Sequence, residues 1–129
     1  RALIPITLVL IPTTLLIAGI MLANNICDID DDIVNKRYTL PVYIGKKPAL
    51  IVYYLLYIAC YLDILAGIVL GYLPVLSLIT FVPAIRVFRN LREFSKIQTK
   101  KDTFKYAVDN LILVMAPLIL SALLAWLIW

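Results

Sequence analysis

Four of the chain's eight acidic residues, Asp28, Asp30, Asp31 and Asp32, fall within five positions, and Lys36, Arg37, Lys46 and Lys47 come soon after. Read as a helix, this stretch puts Asp28 and Asp32 one turn apart on the same face, with Asp31 beside them and Asp30 directed elsewhere. Carboxylates held that close repel, and each is harder to ionise unless a cation joins them. Hard divalent cations such as Mg²⁺ take oxygen ligands and bridge one or two carboxylates to the phosphates of a substrate. Such spacing suits a diphosphate site. It equally suits a solvated acidic helix end braced by a salt bridge from Asp32 to Lys36, and D-x-x-x-D alone does not separate the two.

The elements that must position these residues are strongly apolar. With 64% hydrophobic residues, 16% charged and a mean hydropathy of +0.99, the chain is far more apolar than a soluble domain of its size. Four apolar runs stand out, Ala2 to Ala23, Ala49 to Tyr72, Leu73 to Phe88 and Ala107 to Trp129, the third being the shortest. Crossing a bilayer takes about 17 to 25 apolar residues in a helix, and runs this long and unbroken exclude barrel strands. The expected fold is therefore all-α, a polytopic transmembrane helical bundle of about four spanning helices. Without an internal repeat or a Gly/Ser-rich linker, residues 1–129 read as one domain. The first run lacks the basic flank and small-residue cleavage site of a signal peptide. Cys27 and Cys60 fall about half a helix length apart, so no disulfide is expected. A start at Arg1 suggests a fragment or a processed product.

Charge sets the expected orientation. Lys36, Arg37, Lys46 and Lys47 lie between the first two runs, and Arg86, Arg89, Arg92, Lys96, Lys100, Lys101 and Lys105 gather around the connection between the last two. The Gly71 to Pro74 connection is uncharged, so the positive-inside rule places both basic loops in the cytoplasm of a multi-pass cell-membrane protein. Trp126 and Trp129 suit an aromatic belt on the outer face. The net charge of +4 reads as topology and as affinity for anionic lipid, and no nucleic-acid motif accompanies it. Within the runs, Asp63 is either functional or a protonated or hydrogen-bonded partner of a Tyr or Ser on a neighbouring helix, the latter being favoured. Tyr53, Tyr57 and Tyr61 share a face suited to helix packing. Asp109 and Asn110 stand where they either reach the acidic site or complement a helix dipole. Pro12, Pro83 and Pro117 should kink their spans.

The wider string NNICDIDDDIVNKRYTLPVYIGKK adds a resemblance. Asn24 and Asn25 ahead of the carboxylates, the pattern Asp28, Asp30 and Asp32, and a basic-Thr-Leu-Pro segment ending at Gly45 resemble the second aspartate-rich motif of UbiA-type membrane prenyltransferases. Within them, the string looks like the 1,4-dihydroxy-2-naphthoate polyprenyltransferases of menaquinone biosynthesis. The resemblance is dense over about 24 residues and looser elsewhere, where the helices fit the last part of a nine-helix fold. It implies Asp28 and Asp32 as a Mg²⁺-facing pair, Asn24, Asn25 and Asp30 in supporting positions, and Lys36 and Arg37 holding the diphosphate. The implied substrates are a polyprenyl diphosphate and an aromatic acceptor, and the implied chemistry is electrophilic aromatic substitution.

Two departures qualify that resemblance. Cys27 stands where many relatives of this kind have Arg, which leaves one fewer cation for the diphosphate unless Lys36, Arg37 or the second basic loop supplies it. The family's first aspartate-rich motif does not occur in residues 1–129, so the chain looks like a C-terminal half whose partner is the N-terminal half of the same enzyme. Other acceptors, such as 4-hydroxybenzoate, homogentisate or a glycerol phosphate, suit the same motif. A transporter or channel subunit whose acidic cluster attracts divalent cations is the reading from another class.

Overall fold

The computed structural model describes residues 3–128. Ala2, the expected start of the first run, and Trp129, half of the expected aromatic belt, lie outside the described residues. The chain folds as α1 (Leu3–Cys27), α2 (Ile29–Val34), α3 (Leu40–Ile44), α4 (Lys46–Val69), a 3₁₀ segment (Val75–Phe81), α5 (Ala84–Lys96) and α6 (Lys105–Ile128), with no strand among the described residues. Among the described residues three stretches are long and apolar enough to cross a bilayer: Val9–Cys27, Lys46–Val69 and Lys105–Ile128. At 1.5 Å per residue the two 24-residue helices reach about 36 Å, enough for a hydrocarbon core of about 30 Å.

α1 and α4 form the main helix pair. Small residues let them approach: Ala23 and Ala49 are fully buried, and a Cβ on Gly19 would sit 3.4 Å from the Tyr57 ring. Tyr53, Tyr57 and Tyr61 all point inward, as their shared face suggests. Tyr53 meets Tyr57 edge-on at 5.3 Å and Phe94 of α5 at 5.2 Å, while Tyr61 lies against Phe81 and Phe88. α4 ends where Gly71 takes a left-handed φ of 77°. Tyr72 N–H then donates to Gly67 O and Gly71 N–H to Ile68 O, a Schellman closure that folds Leu73 over Gly67.

The third apolar run does not form the single spanning helix expected of it. Pro74 and Pro83 bracket the 3₁₀ segment. Proline has no N–H and its ring clashes with the carbonyl four residues back, which kinks or breaks a helix, and at Pro83 the run breaks. The run splits into the 3₁₀ segment and an amphipathic α5, which buries Val87, Asn90, Leu91 and Phe94 and exposes Arg86, Arg89, Arg92 and Lys96. Together they still run the length of α6, antiparallel to it. Ser77 pairs with Ser121 at one end (2.9 Å), and Asn90 Nδ2 donates to Asn110 Oδ1 (2.8 Å) towards the other. Because Ser121 Oγ already donates to Leu118 O, the Ser77 hydroxyl is the donor of the serine pair. Pro12 and Pro117 lie inside α1 and α6.

Candidate active site at the acidic end of the bundle

Asp28 closes α1 and caps α2, and the helical hydrogen bond from Asp32 N–H to Asp28 O (2.8 Å) carries the turn across the junction. The two carboxylates are therefore one turn apart, as their spacing implies. Asp30 and Asp31 are exposed to solvent. Asn24 lies one turn before Asp28 and places its Nδ2 3.5 Å from Asp28 Oδ2, and Asn25 beside it is half-buried.

Asp32 is buried, with 2% of its surface exposed, because the chain reverses over it. After α2, Lys36 adopts a left-handed φ of 54°, Lys36 N–H donates to Ile33 O and Arg37 N–H to Asp32 O. This is the closure that usually carries glycine. The reversal returns Arg37 Nε to 3.7 Å from Asp32 Oδ1 and lets the Thr39 hydroxyl donate to Asp32 Oδ2 at 3.0 Å. A buried carboxylate needs such partners. The partner is not Lys36: the expected Asp32 to Lys36 bridge gives way to Arg37 because the left-handed turn leaves Lys36 exposed. Pro41 then sits in the first turn of α3, and Gly45, at φ 86° and ψ 163°, makes the sharp entry into α4 that a side chain would strain.

Asp28 finds its cation across the fold. Lys100, in the loop between α5 and α6, places Nζ 2.5 Å from Asp28 Oδ2. The second basic loop thus supplies a cation beside Cys27, which is half-buried and uncharged as a free thiol. Thr39 and Lys100 are the two contacts that residue types alone did not single out. Pro41 signals the loop that returns Thr39, whereas nothing local ties Lys100 to Asp28.

The other polar candidates make no hydrogen bond or ion pair with the acidic pair among the described residues. Asn110 is fully buried and serves α5, bonding Asn90 and Val87 O, while Asp109 is half-buried. Asp63 keeps one oxygen buried without a hydrogen-bond partner, and among the described residues no Tyr or Ser bonds it as expected. Among the described residues no group of three or more His, Cys, Asp or Glu could enclose a metal ion. What is present is a pair of hard oxygen donors one turn apart, each already beside a cation. That donor set fits the one or two carboxylates Mg²⁺ takes when substrate phosphates complete its shell.

The helical architecture and this acidic end are joined by the sequence comparison: the UbiA prenyltransferase family model matches residues 2–113. The chain belongs to the UbiA prenyltransferase family, whose activity is prenyl transfer at a membrane. No curated protein and no solved structure matches it.

Proposed function

We propose that the chain carries half of the active site of a Mg²⁺-dependent polyprenyltransferase that acts on 1,4-dihydroxy-2-naphthoate in menaquinone biosynthesis, at the cytoplasmic face of the cell membrane. The single observation that supports it most is the Asp28 and Asp32 pair, one helical turn apart, set among Lys36, Arg37 and Lys100 at one end of an apolar bundle. In this reading Asp28 and Asp32 would hold Mg²⁺, which would supply positive charge against the diphosphate leaving group. Lys36 and Arg37 take the outer diphosphate oxygens, stabilising the charge that builds on the leaving group. Asn24 and Asn25 orient the acidic turn, and Asp30 stays at the solvent side. The prenyl chain lies in apolar surface, for which the groove of Thr13, Ile17, Leu111, Ile112, Met115 and Ile119 between α1 and α6 is suited. An electron-rich ring carbon attacks the allylic cation, and exclusion of water protects that cation from hydrolysis. A second aspartate-rich segment, from the N-terminal half of such an enzyme, would supply the remaining metal ligands.

The test is product analysis in membranes holding the chain with and without a co-expressed N-terminal half from a related enzyme. Supplied with Mg²⁺, a polyprenyl diphosphate and the naphthoate, the pair is expected to release diphosphate and form the prenylated, decarboxylated naphthoquinol. The chain by itself is expected to enter the membrane and leave the diphosphate intact. Prenylated 4-hydroxybenzoate or homogentisate in place of the naphthoquinol would reassign the acceptor. Diphosphate release by the chain alone would refute the two-segment site.

A further inference from the structure

The two carboxylates of the acidic turn are held in different ways. Asp32 is sealed by its own loop, with its side chain 3% exposed. Asp28 is more open, its side chain 15% exposed, and is held by a lysine that itself keeps 54% of its side chain in solvent. The loop that bears this lysine is nevertheless well built. Thr99 N–H donates to Thr103 Oγ1 (2.9 Å), Thr103 Oγ1 donates back to Thr99 O (3.0 Å), and Asp102 N–H donates to Thr99 Oγ1 (3.2 Å). Gln98 ties the same turn to the end of α5 through Phe94 O (2.8 Å), and Thr103 is buried. A fixed backbone thus presents a movable ammonium on a four-carbon arm.

We propose that Lys100 is a diphosphate-binding residue that neutralises Asp28 in the substrate-free protein and transfers to the diphosphate when a divalent cation takes the carboxylate. The inference rests on the prenyl-diphosphate reading given above. An ammonium and a divalent cation on one carboxylate oxygen repel each other, so Lys100 competes with the metal when metal comes alone. A diphosphate changes the sign of that relation. It brings several anionic oxygens beside the metal, and the displaced ammonium gains a charge-assisted hydrogen bond in place of the one it gives up. Metal and diphosphate therefore bind cooperatively, and Lys100 is the residue that couples them.

The experiment measures Mn²⁺ binding by electron paramagnetic resonance to the chain assembled in lipid nanodiscs with the co-expressed N-terminal half of a related enzyme, with and without a prenyl thiolodiphosphate that resists cleavage. In the wild type the analogue should tighten Mn²⁺ binding. In Lys100→Met, Mn²⁺ alone should bind about threefold more tightly, because its competitor is gone, and the tightening by the analogue should fall about tenfold, the worth of one charge-assisted hydrogen bond. Lys100→Arg should keep most of that coupling. Lys100 is exposed, so these substitutions leave the fold intact. Wild-type coupling together with unchanged values in Lys100→Met would overturn the role of Lys100 alone. No effect of the analogue on Mn²⁺ binding in the wild type would overturn the diphosphate reading and this inference with it.

Discussion

At the scale of residues, Asp28 and Asp32 differ from Asp30 in what they touch, and that difference is measurable. Within an enzyme assembled with its second aspartate-rich segment, Asp28→Asn and Asp32→Asn should each lower turnover about 100-fold or more, since each removes a charged ligand from the leaving-group side. Asp30→Asn, at an exposed position, should cost no more than a few-fold. Equal tolerance of all three substitutions would return the cluster to a solvated helix end. Lys36 supplies a second contrast. Its left-handed backbone costs about 1–2 kcal/mol in a residue with a Cβ, and such strain persists where a side chain is needed. Lys36→Gly should therefore raise the melting temperature in detergent and at the same time weaken prenyl-diphosphate affinity several-fold. A gain in stability with unchanged affinity would make Lys36 a turn residue only. The i, i+4 spacing of Asp28 and Asp32 was legible because a helix runs through it. The burial of Asp32 was not, since the closure that covers it carries lysine where glycine is the usual signal, and the Asp28 to Lys100 pair joins loops far apart in sequence.

At the scale of elements, the α5–α6 contact depends on one buried amide pair. Asn110 bonds both Asn90 and the Val87 carbonyl with no exposure to solvent. Asn110→Leu strands the Asn90 amide and should destabilise the protein by about 1–3 kcal/mol, whereas Asn90→Leu with Asn110→Leu removes both polar partners and should recover part of that loss. Thermal unfolding of the single and double variants in detergent checks this, and strictly additive losses would show that the two amides do not act as a pair. The elements themselves were read well where apolarity was continuous, in α1, α4 and α6. The run from Leu73 to Phe88 misled because Pro83, read as a kink, breaks it, with a 3₁₀ segment before the break and α5 after. Beyond Pro83 the chain takes up a helix selected by its amphipathic period, and this helix reaches Lys96, well past the last residue of the apolar run.

At the scale of the whole molecule, the Lys100 to Asp28 contact puts the loops before α4 and before α6 at one end, and the Gly71 to Pro74 turn belongs to the opposite end. Cysteines placed at Lys47 and Lys101 should therefore react with an impermeant reagent from the same side of sealed vesicles, and one placed at Tyr72 from the other. Reaction of the two lysine positions from opposite sides would sink this arrangement. The broken third leg carries a consequence for how the protein is made. Its apolar part ends at Val82 and its helical part carries Arg86, Arg89, Arg92, Glu93 and Lys96, so as it leaves the ribosome it has too little apolar length to partition into lipid unaided. It is therefore expected to wait for α6 and enter with it as a preformed hairpin, clasped by Asn90 with Asn110 beside the connecting loop and by Ser77 with Ser121 at the open end. A nascent chain arrested before α6 emerges should thus keep residues 75–96 outside the bilayer, and release of the arrest should draw both legs in together.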